Sequence, residues 1–201
     1  MLAERTIMLI DDHPLIRLGL RGLIEACEDL RVVAEAGSIK EALEMVEEMD
    51  PDVAVVDLNL PDGSGIDLVR SIKKVLPHVK ILVLSLHDGA LYGQQCRRAG
   101  ADGYLMKESA ALGIVEQLYA VIRGEGWANV AMDEDPRATL SRRELQVMAA
   151  LGGGEPPRVI AAQLGLSVKT VETHLAHCKQ KLGVQHMNEL VRLAIAWRDS
   201  L

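Results

Sequence analysis

The 201-residue chain contains no phenylalanine, and only two tryptophans and three tyrosines. Its core must therefore be filled by Leu, Val, Ile, Ala and Met, and with 49% apolar residues there is enough of them to bury one. Cysteine is scarce as well. Cys27, Cys96 and Cys178 are odd in number, far apart and in no metal-ligand spacing, which argues against a disulfide framework or a cysteine zinc site. No apolar run approaches the roughly 20 residues of a membrane span. The opening "MLAERTIMLIDD" reaches acidic residues too early for a secretory leader. The expectation is a reduced, soluble, cytoplasmic protein with no membrane partner.

Positive charge is short in one part only. Residues 1–123 carry 13 Lys and Arg against 20 Asp and Glu, whereas residues 140–201 carry eight against five. An acidic front and a mildly basic rear point to two modules with different partners.

The front alternates two kinds of segment. "TIMLI" (6–10), "VVAEA" (32–36), "VAVVDL" (53–58), "KILVLSL" (80–86) and "GYLMK" (103–107) read as short buried strands. Between them, Leu15, Leu18, Leu23 and Ile24 share a helical face in 14–27, as do Ala42, Leu43, Val46 and Met49 in 38–49. Ile66, Val69, Ile72 and Leu76 do so in 64–76. Strand and helix in alternation predict an α/β unit: a doubly wound, five-stranded parallel sheet with helices on both faces. Residues 124–139, with glycines, a proline and an acidic cluster, read as a linker region. Beyond it, helical patterns at 140–151, 158–164, 168–182 and 187–197 predict a small all-α unit.

In a parallel sheet the carboxyl ends of the strands share one edge, where ligands bind. The first strand ends in Asp11 and Asp12, the third in Asp57, the fourth near Ser85 and the fifth at Lys107. Taken singly, each has a plainer role: Asp11 or Asp12 as a helix cap before Pro14, Ser85 as a core hydroxyl, Lys107 as a solvated lysine. Together, three close carboxylates require a cation. Mg²⁺ suits oxygen ligands combined with water and phosphate. A carboxylate there can attack phosphorus and form an aspartyl phosphate, with lysine, hydroxyl and metal sharing the phosphoryl charge.

"IDDHPLIRLGLRGLI", "VVDLNLPDGSGIDLV", "LVLSLHD" and "AGADGYLMK" resemble the receiver domain of two-component response regulators, from about residue 6 to 122. The resemblance implies that Asp57 is the phosphoacceptor. It makes Asp12 the direct metal ligand, with Asp11 acting through water and the Asn59 backbone carbonyl completing the protein's set. Ser85 and Lys107 would contact the phosphoryl group, and Tyr104 would be the aromatic whose rotamer follows Ser85. Glu108 follows the lysine where many receivers have proline.

In the rear part, Gly165 breaks one helix and Ser167 can cap the next, a helix–turn–helix pattern. Val171, Leu175 and Leu182 form the apolar stripe of helix 168–182. Lys169, Thr170, Thr173, His174, His177 and Lys181 lie outside it, where a polar, basic face suits a major groove and its phosphates. An ordinary solvated face is the plainer reading, and a net charge of +3 is weak. His174 and His177 share a face, but no third metal ligand accompanies them. "LSRRELQVM" followed by "IAAQLGLSVKTVETHLAHCKQKLGV" is similar to the LuxR-type DNA-binding domain of the NarL/FixJ response regulators, over about 138–198. That implies Lys169, Thr170, Thr173, His174 and His177 as candidate DNA contacts. Pro156 and Pro157 replace polar residues common there, which removes possible phosphate contacts.

The expectation is a receiver at 1–123, a linker at 124–137 and a LuxR-type helix–turn–helix domain at 138–201. The chain would be a transcription factor, not an enzyme. A histidine kinase or small phosphodonor would phosphorylate it, and it would bind double-stranded DNA as a homodimer. Leu190, Leu193, Ala194 and Trp197, at i, i+3, i+4 and i+7, form a stripe that either serves dimerisation or closes the domain's own core. The alternatives are a phosphorylation-independent DNA-binding regulator and an aspartyl-phosphate phosphatase. The second lacks the Asp that haloacid-dehalogenase-type enzymes place at the position of Asn59.

Overall fold

The computed structural model describes residues 4–86, 89–128 and 135–198, the side chains of 89–91 excepted. They form two compact units, one built mainly on residues before 129 and one mainly on residues after 134.

In the first unit β1 (Arg5–Ile10), β2 (Leu30–Ala36), β3 (Val53–Asp57), β4 (Lys80–Ser85) and β5 (Gly103–Met106) form one parallel sheet in the order β2-β1-β3-β4-β5. Five helices connect and follow the strands: α1 (Pro14–Ile24), α2 (Ile39–Met49), α3 (Gly65–Val75), α4 (Gly89–Ala99) and α5 (Lys107–Arg123). Every residue of β3 is buried, as expected of a central strand covered on both faces. Ile7, Leu9, Val53, Val55, Leu82 and Leu84 face α1 and α5, packing on Leu20, Ile24, Ile114 and Leu118. The alternate residues point to the other face, on the side where α2 and α3 pack against each other.

Several boundaries and one face differ from the sequence expectation, and a short ladder is added. The first helix ends at Ile24, where Cys27 N–H turns back to the Ile24 carbonyl. Its buried line is Leu20 and Ile24, with Ile16 partly covered, while Leu15 and Leu18 are 82% and 65% exposed. The i, i+4 row, not the i, i+3 row, lies over the sheet. The last strand stops at Met106 and Lys107 opens α5. The span after Asp57 contains a two-residue antiparallel ladder, Asn59–Leu60 with Gly63–Ser64.

Of the span read as linker, residues 129–134 lie outside the described residues. Residues 124–128 are ordered against α5: Gly124 caps it at φ 81°, Glu125 N–H donates to the Ala120 carbonyl at 2.7 Å, and Gly126 is buried. Pro136–Thr139 forms a 3₁₀ turn.

The second unit is all-helical: α6 (Arg142–Gly152), α7 (Pro157–Leu164), α8 (Val168–Leu182) and α9 (Met187–Arg198). Helix α6 packs on α8 and α9, and α7 on α8. Ser141 and Glu144 form a reciprocal capping box at the start of α6. The Glu144 side chain is 4% exposed and also pairs with Lys181 of α8 at 2.7 Å. Burial opposes its ionisation, but Lys181 and the Ser141 donors outweigh that and hold its pKa down to about 2. A carboxyl depressed on folding contributes stability above its unfolded pKa and loses it as pH falls through the folded one. The second unit should therefore weaken between about pH 5 and pH 2. Glu144→Ala should cost about 2 kcal/mol at pH 7 and remove much of that acid sensitivity, read from hydrogen exchange in α6 and α8.

Candidate functional site

At the carboxyl edge of the sheet, β1 delivers Asp11 and Asp12, β3 delivers Asp57, β4 delivers Ser85, and the start of α5 delivers Lys107. Register explains the convergence. Asp57 pairs with Leu84 and Ser85 with Met106, so Ser85 stands between Asp57 and the turn into Lys107. Asp11, Asp57 and Ser85 are 2%, 1% and 0% exposed.

Lys107 Nζ donates to Asp57 Oδ2 at 2.7 Å. It also lies 2.6 Å from Asp11 Oδ2, an ion pair without hydrogen-bond geometry. Asp57 Oδ1 accepts the Asn59 N–H at 3.0 Å, and Asp11 Oδ1 accepts the His13 N–H at 2.8 Å. Burial, aided by the nearby Asp11 charge, pushes the Asp57 carboxyl above the usual range despite Lys107 and the Asn59 amide. Burial works against the Lys107 ammonium too, yet Asp11 and Asp57 hold its pKa above the ordinary value.

Helix α3 begins hard against this edge. A Cβ on Gly65 would stand 2.1 Å from the Asp57 carbonyl oxygen, so only glycine fits there. Gly65 N–H donates to the Leu58 carbonyl, and the Ser64 side chain caps the helix through Ile66 N–H. The Pro61–Gly65 loop thus returns the chain closely enough to hold Asp57 in place.

Asp11, Asp12, His13 and Asp57 each present a ligand atom within 4.8 Å of the others. Three carboxylates and one ammonium leave two negative charges in excess, which fits a divalent cation. His13 had no place in the sequence reading. Its Nδ1 lies 2.6 Å from Asp12 Oδ1, and its position directly after the acidic pair was the available signal. Asn59 lies beside the cluster through its amide. Tyr104, 4% exposed, lies on β5 and stacks on Trp127, a neighbour the sequence did not suggest.

In the second unit, Gly165 at φ 65° ends α7, and the Ser167 hydroxyl accepts the Thr170 N–H at the start of α8. Val171, Leu175, Cys178 and Leu182 are buried. Lys169, Thr173 and His177 are exposed on the opposite side, with Thr170 and His174 partly so. Lys181 is also exposed in part, but its ammonium is engaged by Glu144. The Leu190, Leu193, Ala194 and Trp197 stripe is a correction. All four are 0% exposed in the chain, leaving nothing of the stripe for a second copy.

The chain matches two family models: "Response regulator receiver domain" over residues 7–119 and "Bacterial regulatory proteins, luxR family" over 138–194. It is 36% identical to the transcriptional activator protein ExaE of Pseudomonas putida, over 94% of this chain and 95% of that one. It is 31% identical to the transcriptional regulatory protein DegU of Brevibacillus brevis, over 92% and 90%. Among solved structures it resembles RcsB from Salmonella enterica serovar Typhimurium, bound to promoter P1flhDC in the presence of the phosphomimetic BeF₃⁻. The TM-score is 0.74 at 25% identity, covering 96% of this chain and 98% of that one.

Two outcomes check this geometry. A folded-state pKa above the unfolded one means that Asp57 stabilises fully only below the ordinary carboxylate range, a contribution lost as pH rises through the folded value. With chelator present, Asp57→Asn should therefore melt a few degrees higher than the native chain at pH 7. The gap should close as pH falls below about 4. Trp197→Ala should cost about 3–5 kcal/mol of second-unit stability, with a denaturation midpoint independent of protein concentration. A loss confined to self-association would restore the stripe as a dimer surface.

Proposed function

The chain belongs to the NarL/FixJ response regulators, which join a receiver to a LuxR-type DNA-binding domain, and on that premise we propose that phosphorylation of Asp57 controls its DNA binding. The observation that carries this is the buried Asp57 carboxylate, held between the Asn59 amide and the Lys107 ammonium beside Asp11. One Asp57 oxygen attacks the phosphorus of a phosphohistidine or small phosphodonor. A P–O bond forms to aspartate and the bond to the leaving group breaks. Lys107 then follows the charge from Asp57 Oδ2 onto the phosphoryl oxygens, and Ser85, one register step away, supplies a hydroxyl to another. Asp11, Asp12, Asp57 and the Asn59 carbonyl would hold Mg²⁺. When bound, the metal offsets carboxylate repulsion and shares the phosphoryl charge.

The partner on the receiver side is a histidine kinase, and the chain acts in the cytoplasm. Among the described residues no helix is long and apolar enough to cross a membrane. The boundaries of this reading are a receiver at 1–123, a linker at 124–137 and a DNA-binding domain at 138–201. In that domain the N-terminal half of α8 enters the major groove, and Lys169, Thr170, Thr173, His174 and His177 are its contacts. The solved RcsB relative is bound to a promoter, which supports this placement. With only eight basic against five acidic residues in 140–201, one copy holds DNA weakly. Two copies on paired half-sites gain through effective concentration.

Acetyl phosphate with Mg²⁺ should label the full chain, and Asp57→Asn should abolish the label. On DNA selected from a random pool, labelling should raise affinity about tenfold or more, with a dimer seen by sedimentation. Undiminished labelling of the variant would move the phosphoacceptor elsewhere.

A further inference from the structure

Trp127, in the segment that leaves α5, is held from three sides, and Gly126 before it from a fourth. Its ring stacks on Tyr104 with centroids 6.4 Å apart and planes 29° apart. Its Nε1 donates to the Ala101 carbonyl at 3.1 Å. The Arg97 guanidinium at the end of α4 stands 5.9 Å from the ring centroid. Gln117 of α5 donates to the carbonyls of Tyr104, at 3.2 Å, and of Gly126, at 2.6 Å. The backbone is equally close: a Cβ on Gly126 would stand 2.5 Å from the Asp102 carbonyl oxygen. A residue four positions past α5 would need no such hold if it were only linker.

We propose that Trp127 is a positioning residue that ties Tyr104 to the chain leading out of the receiver, so that a change at Tyr104 is carried into that segment. The inference rests on the reading of Tyr104 as the aromatic that follows the state of Asp57. Packed aromatic rings do not deform continuously. If Tyr104 turns away, it leaves a ring-sized hole beside the indole, and a void of that size is costly. Trp127 must follow it or repack, and either response displaces Gly126 and the residues after it. The stack and the cation–π contact are each weak on their own, small enough for a phosphoryl group to overturn. Coupling of this kind is reciprocal, so the state of the exiting segment also biases Tyr104.

The test uses the full chain labelled with 5-fluorotryptophan. It gives two ¹⁹F resonances, with that of Trp127 assigned through Trp127→Phe. Mg²⁺ plus beryllofluoride should move the Trp127 resonance, and Tyr104→Ala should abolish the movement. Trp127→Ala should cut the phosphorylation-dependent gain in DNA affinity at least fivefold, while Trp127→Phe keeps most of it. If Trp127→Ala lowers affinity equally with and without phosphate, its role is structural and the proposal falls. If the native chain binds beryllofluoride in an Asp57-dependent way and the Trp127 resonance stays still, the tie alone falls. If no Asp57-dependent binding occurs, the reading of the pocket falls and takes the tie with it.

Discussion

The first unit is organised around one unfavourable arrangement: two carboxylates, Asp11 and Asp57, almost wholly buried and sharing a single ammonium from Lys107. Burying like charges costs free energy that neighbouring hydrogen bonds offset only in part. The raised Asp57 pKa is the sign that the offset is incomplete. A group kept in that state responds strongly to any cation or phosphoryl group that arrives. The apolar residues of β1, β3 and β4 supply the rigid support that lets the strain persist.

Glu144 in the second unit is a buried carboxylate of the opposite kind. The Ser141 N–H and the Lys181 ammonium satisfy it, and its pKa falls to about 2. It locks α6 to α8 and fixes the face that α8 presents. Each carboxylate accepts one backbone N–H and one lysine ammonium. Asp57 differs in its stronger desolvation and in the Asp11 charge beside it.

Much of this was legible in the chain. The alternation of β-branched runs with helical stripes gave the five strands, and strand-end residues gave Asp11, Asp12, Asp57 and Ser85, because chain direction in a parallel sheet puts all such ends on one edge. Gly165 and Ser167 marked the turn before α8 for equally local reasons. Other features were invisible. Leu15 and Leu18 fit a helical stripe as well as Leu20 and Ile24 do, and periodicity cannot say which row meets the sheet. His13 drew no functional reading, and residues 124–128 had the composition of a linker, yet Trp127 is anchored by three segments and Gly126 by a fourth.

By itself the sequence determined strand and helix order, the acidic edge, the helix–turn–helix and the charge contrast between the two parts. Each depends on residues near one another in the chain or on the shared direction of parallel strands. Only the tertiary structure decided that Trp197 closes its own core, that Lys181 serves Glu144, and that Tyr104 has a partner from beyond α5. Those outcomes depend on which of several chemically suitable neighbours reaches a side chain first in a close-packed interior. That is a matter of three-dimensional distance, which spacing along the chain does not encode.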